Sequence, residues 1–207
     1  MRHQIRAVTW DVDGTLYSLA AMKFHVSLRV MGGMIRGRGP ASQAALAGLR
    51  RRLRLVEQSR SPAGVLPAEI RGTCVDDDLL DIEKAWLGPA ISRAGLRPGV
   101  RELLDVLRAR QIPAAVVSDW IAGYKLDALR ISDRFMAVHE GVRIGRVKPS
   151  PELFERAAAA LGVPTRHVLH IGDRADTDGA GARAAGCQVA ILGRDFTRAS
   201  ELAAVLD

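Results

Sequence analysis

Apolar positions fall along this chain in two rhythms. Ile5-Arg6-Ala7-Val8-Thr9-Trp10-Asp11 is a short β-rich run that stops at the turn-prone Asp13-Gly14-Thr15, which predicts a strand opening into a loop. Residues 17–97 show no strand pair. Ala, Leu and Arg dominate there and predict helices, with breaks expected at Gly32-Gly33, Gly37-Arg38-Gly39-Pro40, Ser61-Pro62-Ala63-Gly64 and Gly88-Pro89. After Arg97-Pro98-Gly99 the rhythm changes. Val100, Leu103, Leu104 and Leu107 predict a helix over 99–110, and Ile112 to Ser118 predicts an apolar strand. A helix near 121–130, a strand around Met136–His139 and a helix over 150–161 follow, with Ser150 as N-cap and Pro151 at the first helical position. The strand His167–Gly172, a helix near 177–185, the strand Gln188–Leu192 and a helix near 198–206 complete the pattern.

Strands that alternate with helices and read as continuous apolar runs predict an α/β fold. The expected architecture is a Rossmann-like parallel sheet with helices on both faces. Residues 1–16 and 98–207 form its core, and 17–97 form an α-helical block inserted after the first strand.

Composition narrows the setting. A chain of 207 residues with 48% hydrophobic and 26% charged residues is an ordinary globular mix, long enough for a buried core. No run of about 18 apolar residues argues for a membrane span. Met1-Arg2-His3-Gln4-Ile5 leads straight into the first strand without a signal-peptide apolar region. Cys74 and Cys187 are too few for a disulfide framework or a four-ligand zinc site. The expectation is a soluble cytoplasmic protein.

The net charge of +7 and a pI near 10.2 invite a nucleic-acid reading. Its distribution weakens that reading. Residues 17–72 hold ten basic residues against Glu57 and Glu69, a sum of +8, whereas 73–207 sum to −1. No aromatic interleaving accompanies the arginines, so nucleic acid is an unlikely partner. Two readings of the cluster at 50–54 stay open: arginines that face a cleft and bind a second anionic group, or a solvated face in a chain with 26 Arg and four Lys.

In parallel α/β sheets the site lies beyond the carboxyl ends of the strands. Those positions hold Asp11 and Asp13, Ser118 and Asp119, Lys148, and Asp173, Asp176 and Asp178. Clustered carboxylates repel unless a cation neutralises them, and an oxygen-rich set suits a hard cation such as Mg²⁺. A lysine and a hydroxyl nearby are groups that a phosphate oxygen needs.

These residues carry a family resemblance. Asp11-Val12-Asp13-Gly14-Thr15-Leu16 resembles the first motif, DxDGT, of the haloacid dehalogenase-like hydrolases. The strand end Val116-Val117-Ser118 resembles the second motif and Val147-Lys148-Pro149-Ser150-Pro151 the third. Gly172-Asp173-Arg174-Ala175-Asp176-Thr177-Asp178, continuing to Gly186, resembles the fourth. The likeness covers 5–16 and roughly 98–195, with the motifs in the family's order. The resemblance implies Asp11 as a nucleophile forming an aspartyl-phosphate, and Asp13 as the acid and base for leaving group and water. It implies Ser118 and the Asp119 backbone N–H as phosphoryl-binding groups, with Lys148 pairing Asp11 and the phosphate. Mg²⁺ would be held by Asp11, the Asp13 carbonyl and Asp173, with Asp178 supporting. The helical block then resembles a cap that closes over the site and hinges near Leu16–Ser18 and Leu96–Gly99. Dehalogenases of the family lack the second Asp, so Asp13 points to phosphoryl transfer.

Plainer readings stand beside these. Asp11 and Asp13 alone could be a turn pair, Ser118 could end a strand or cap the next helix, and Lys148 could be a solvated loop residue. Asp176 reads as a solvated residue or N-cap, and Asp178 as either cap or metal support. His170, inside an apolar strand, reads as a packed core residue, and His25, His139 and His167 show no paired ligand spacing. The expected activity is a Mg²⁺-dependent phosphatase acting on a small phosphorylated metabolite. A phosphomutase of the β-phosphoglucomutase type and a polyanion-binding protein using the basic block are the alternatives.

Overall fold

The computed structural model describes residues 4–35, 39–58 and 63–206. Its centre is a sheet of five parallel strands: β1 (Ala7–Trp10), β2 (Ala114–Ser118), β3 (Ala137–Glu140), β4 (Val168–Gly172) and β5 (Gln188–Ile191). They lie in the order β3-β2-β1-β4-β5. β1 pairs with β2 on one side and β4 on the other. The chain reverses its winding at β1, so the carboxyl ends of β1, β2 and β4 open side by side into the crevice where such sheets bind ligands.

All residues of β1, β2 and β4 are buried, as apolar runs covered on both faces require. Period-two alternation divides them between two cores. Val8, Trp10, Val116, Leu169 and Ile171 face one side. Ala7, Ala115, Val117 and Val168 face the other.

The helical block comprises α1 (Leu19–Ile35), α2 (Gly39–Gln58), α3 (Ala68–Cys74) and α4 (Asp77–Ala94). The remaining helices are α5 (Val100–Ala109), α6 (Gly123–Leu129), α7 (Gly141–Ile144), α8 (Glu152–Ala160) and α9 (Ala180–Ala184). α5 buries Val100, Leu103, Leu104 and Leu107 on the first face, and α8 buries Leu153, Phe154, Ala157 and Ala158 on the second. Each Val, Leu and Phe side chain among them contributes about 1.5–3 kcal/mol when fully buried.

Several local expectations are corrected. Gly32-Gly33 does not break the chain; α1 runs through it, its length supported by packing against α4. Gly88-Pro89 lies inside α4. Pro89 has no N–H for the carbonyl of Ala85 four residues back, and the Arg29 guanidinium donates to that oxygen instead at 3.1 Å. Arg29 also lies over the Trp86 ring, 5.5 Å from its centroid. Of the break at 37–40, residues 37 and 38 lie outside the described residues, and Gly39 already begins α2. In the break at 61–64, residues 61 and 62 lie outside them too.

Ser150 does not cap α8. It is buried beneath the helical block, and Pro151 takes the capping position, its carbonyl accepting from the N–H groups of Phe154 and Glu155. The helix expected over 177–185 begins as a wider π-turn at Ala175–Gly179 before α9. That turn carries Asp178 inward, where its Oδ2 accepts the Arg174 N–H at 3.1 Å. The last helix, Ala199–Val205, winds as a 3₁₀-helix; its three-residue turn brings Ala199 and Leu202 together onto the α5 side of the core.

The block sits over the strand ends. Its two connections meet each other, the Arg97 N–H donating to Leu16 O at 2.8 Å and Arg97 Nε to Gly14 O at 2.7 Å. Farther out, the Val147 N–H donates to Gly64 O at 2.7 Å and the Leu66 N–H to Gly145 O at 3.0 Å. Gly64 has φ +61° and lies so close that a Cβ would stand 2.1 Å from Val147 O. Val56, Leu66, Cys74 and Leu80 of the block share one apolar cluster with Ile121, which follows β2, and with Val142 and Val147, which follow β3.

Candidate active site

β1 delivers Asp11 to the crevice, and the tight turn after it returns Thr15 so that its hydroxyl donates to Asp11 Oδ2 at 2.8 Å. Lys148 reaches in from the loop between α7 and α8. Its Nζ donates to Asp11 Oδ1 at 2.5 Å, to Asp178 Oδ1 at 2.6 Å and to Val117 O at 3.4 Å. Asp11, Lys148 and Asp178 are exposed by 5%, 3% and 1%, so this is a buried charge cluster and Lys148 is no solvated loop residue. Asp119, at the end of β2, fixes the loop behind it: its Oδ1 accepts the Lys148 N–H at 2.7 Å.

Carboxylate oxygens of Asp11, Asp173 and Asp178 lie within 4.8 Å of one another. Lys148 is the ammonium bonded into this group, and the electrostatics follow from one such cation facing three carboxyls. Burial would raise Asp178, yet Lys148 and then His170 outweigh it and hold the carboxyl well below its ordinary value. Lys148 is held above its ordinary value by Asp11, Asp178 and Asp119 against the effect of burial. Asp11 is pushed up to about 8 by burial, with Asp178 and Asp173 adding to the rise against Lys148. Asp173 is raised by burial and Asp178. One cation thus holds one carboxyl down, while burial and their neighbours keep the other two raised. Three clustered carboxylates short of positive charge are a donor set that fits a hard divalent cation. Gly14, at φ +100°, makes room for the Asp173 carboxylate: a Cβ there would stand 2.2 Å from Asp173 Oδ2.

Asp13 is drawn elsewhere. Its Oδ2 accepts from Lys125 Nζ at 2.5 Å, and its Oδ1 accepts from the Tyr17 hydroxyl. Its carboxylate therefore lies outside the three-carboxylate group. Ser118 is buried at the end of β2 and does not cap α6; its Oγ accepts the Trp120 N–H at 3.2 Å. Glu140 holds the start of α6, its Oε1 accepting from the N–H groups of Ala122 and Gly123 at 2.6 and 3.1 Å. Asp176 is exposed and pairs with Arg174 at 2.8 Å.

His170 is a core residue, as expected, but it does more. Phe154 meets its ring edge-to-face at 4.8 Å, Nε2 lies 3.3 Å from Asp178 Oδ1, and Nδ1 lies 3.0 Å from Thr9 Oγ1. Burial lowers its pKa. In its neutral form the ring donates at one nitrogen and accepts at the other, a pattern that matches a carboxylate and a hydroxyl.

Residues 5–186 match the family described as haloacid dehalogenase-like hydrolase. The chain belongs to the haloacid dehalogenase-like hydrolases. Over 112 residues it is 34% identical to a phosphoglycolate phosphatase of Chromobacterium violaceum, covering 53% of this chain and 50% of that protein. The chain spans about half the length of the curated relatives it matches. Its fold is similar to that of a CbbY variant from Rhodobacter sphaeroides in complex with xylulose-1,5-bisphosphate, with TM-score 0.65 and 21% identity over 98% of this chain and 99% of that one. It is similar too to a 2-haloacid dehalogenase from Pseudomonas syringae, with TM-score 0.63 and 21% identity over 98% of each chain. Hydrolases of this family therefore share the fold across different reactions, and the site has to discriminate between them.

Lys125, Tyr17, Thr9, Glu140 and the contact of His170 with Asp178 lie outside what the motifs announce. One signal points to Lys125: it is one of four lysines in an arginine-rich chain, and with Lys148 it is one of two that are buried.

Proposed function

We propose that this chain is a Mg²⁺-dependent phosphatase that hydrolyses a small phosphomonoester through an aspartyl-phosphate on Asp11, with residues 17–97 as its cap. The observation that carries this reading is the division of labour within Asp11-Val12-Asp13. One carboxyl lies against Lys148 in the buried cluster, and the other is held two residues away by separate donors.

Asp11 attacks phosphorus through a carboxylate oxygen while the bond to the leaving oxygen breaks, and Asp13 protonates that oxygen. Water then attacks the phosphorus of the aspartyl-phosphate, gives its proton to Asp13 and releases phosphate, which restores Asp11. Lys148 keeps Asp11 and the incoming phosphate from repelling, and Ser118 with the Asp119 N–H binds the phosphoryl oxygens. Asp11, Asp173 and the Asp13 carbonyl would hold Mg²⁺, with Asp178 supporting; the bound cation supplies the positive charge that the cluster lacks.

The cap reading is supported by the placement of the block over the strand ends and by its paired connections at Leu16 and Arg97. Its described cluster arginines, Arg50, Arg51 and Arg54, are exposed, which favours the solvated face over a second anion site. Phosphoglycolate and xylulose-1,5-bisphosphate, in the names of two similar proteins, support a small phosphorylated metabolite as substrate. No helix among the described residues is long and apolar enough to cross a membrane. Cys74 and Cys187, both buried thiols, fit a cytoplasmic setting.

The test is turnover of p-nitrophenyl phosphate with Mg²⁺, lost on chelation and in Asp11→Asn. A folded chain inert across a panel of phosphate esters overturns the reading. Phosphate transferred to a second sugar hydroxyl instead of water marks a phosphomutase.

A further inference from the structure

Each carboxyl of the Asp11–Asp13 pair has its own buried lysine. Lys148 and Lys125 are each 3% exposed, while Lys23 and Lys84 lie at the surface. Lys148 belongs to the third motif; no motif contains Lys125. It projects from α6, 112 residues along the chain from Asp13, and its Nζ stands 2.5 Å from Asp13 Oδ2. On the other side Tyr17, fully buried, donates its hydroxyl to Asp13 Oδ1 from the same turn, where Asp13 and Tyr17 also form a parallel bridge. Both oxygens of Asp13 are therefore gripped, one locally and one from across the crevice.

The base of this grip is well anchored. The first N–H groups of α6 are satisfied by Glu140, and the preceding residue, Tyr124, donates its hydroxyl to Glu83 of α4 at 2.7 Å. Lys125 is thus presented by a turn fixed to the sheet edge on one side and to the helical block on the other. A lysine ammonium suits this task because it is a compact point charge on a long stem.

We propose that Lys125, with Tyr17, is the positioning residue for Asp13. It keeps the acid–base carboxyl apart from the crowded Asp11, Asp173 and Asp178 oxygens and aims it at the leaving oxygen. The inference rests on the phosphatase reading and adds to it a residue on which proton transfer to the leaving group depends. A purely structural lysine, present only to be neutralised, would affect every substrate alike. A positioning lysine affects the step that needs the proton. Nitrophenolate leaves without one, whereas an alkoxide does not.

The test compares wild type with Lys125→Met on p-nitrophenyl phosphate and glycerol phosphate at saturating Mg²⁺. General acid–base catalysis contributes about 10²–10⁴-fold, so in a single turnover with enzyme in excess the release of glycerol is expected to slow by roughly 100-fold while the release of nitrophenolate stays within about threefold; the later hydrolysis of the aspartyl-phosphate is common to both esters. An equal fall on both esters, or no fall on either, overturns the proposal. If Lys125→Met does not fold, Tyr17→Phe removes one hydroxyl from the same grip; it gives the same split in smaller measure if the proposal holds, and none if it is wrong. A folded wild-type chain inert on both esters overturns the phosphatase reading itself, an outcome distinct from a wild type that works and a variant that shows no split.

Discussion

At the strand ends Asp11, Lys148 and Asp178 are almost wholly buried and bonded to one another; on α2, Arg50, Arg51 and Arg54 are exposed. Net charge is concentrated in the second region, and interaction energy in the first. Charges removed from water cost several kcal/mol each and persist only where partners hold them, whereas a solvated arginine is nearly neutral to stability. The high pI therefore describes the outside of the helical block, and the chemistry sits in a buried cluster that is short of positive charge. Long-range attraction for an anionic substrate is the contribution left to the arginines.

Lys148→Met would strain this contrast most. It leaves Asp11 and Asp178 buried without their ammonium, and losing one partner of a buried pair costs about 3–5 kcal/mol. At about 2–4 °C per kcal/mol for a chain of this size, the melting temperature falls by roughly 10 °C, measured by thermal denaturation. An unchanged melting temperature would mean that the cluster is not held by this lysine.

A smaller effect should come from pH. In metal-free protein the Asp11 carboxyl is raised to about 8, far above its unfolded value, so the folded state keeps a proton that the unfolded state has lost. That contribution is fully present below the unfolded value and is lost as pH rises toward 8. Asp11→Asn cannot lose it. Measured in chelator, the stability of Asp11→Asn relative to wild type should climb between pH 5 and 8 by up to about 1.4 kcal/mol per unit, then level off. A difference independent of pH would show that Asp11 is ionised throughout.

The least effect is expected from replacing Arg50, Arg51 and Arg54 together by Ser. Stability should change by no more than about 0.5 kcal/mol per site, with kcat unchanged. A tenfold rise in KM would instead put these arginines in contact with substrate.

The same contrast explains what could be read from the residues alone. Strands of Val, Ile and Ala that are buried on both faces announce themselves by composition, and their ends mark the crevice, so Asp11 and the carboxylates after β4 could be found without a structure, while Lys148, on the loop between α7 and α8, was marked by its motif. Gly88-Pro89 misled because the cost of an interior proline is met by Arg29, 60 residues earlier, which no local pattern reveals. Lys125, Glu140 and the bond from Thr9 to His170 were hidden for a related reason. Each acts through a partner distant in sequence, and each sits among apolar or loop residues with no spacing of its own.

The central claim is that Asp11 becomes phosphorylated while Asp13 manages the protons. Asp13→Asn should still accept phosphate from p-nitrophenyl phosphate, whose leaving group needs no acid, but it cannot take the proton from water in the second step. Acid-quenched Asp13→Asn, digested and mapped by mass spectrometry, is predicted to carry one phosphoryl group on the peptide containing Asp11. Consumption of the ester with that peptide unmodified, or with the phosphoryl group on another residue, would contradict the account.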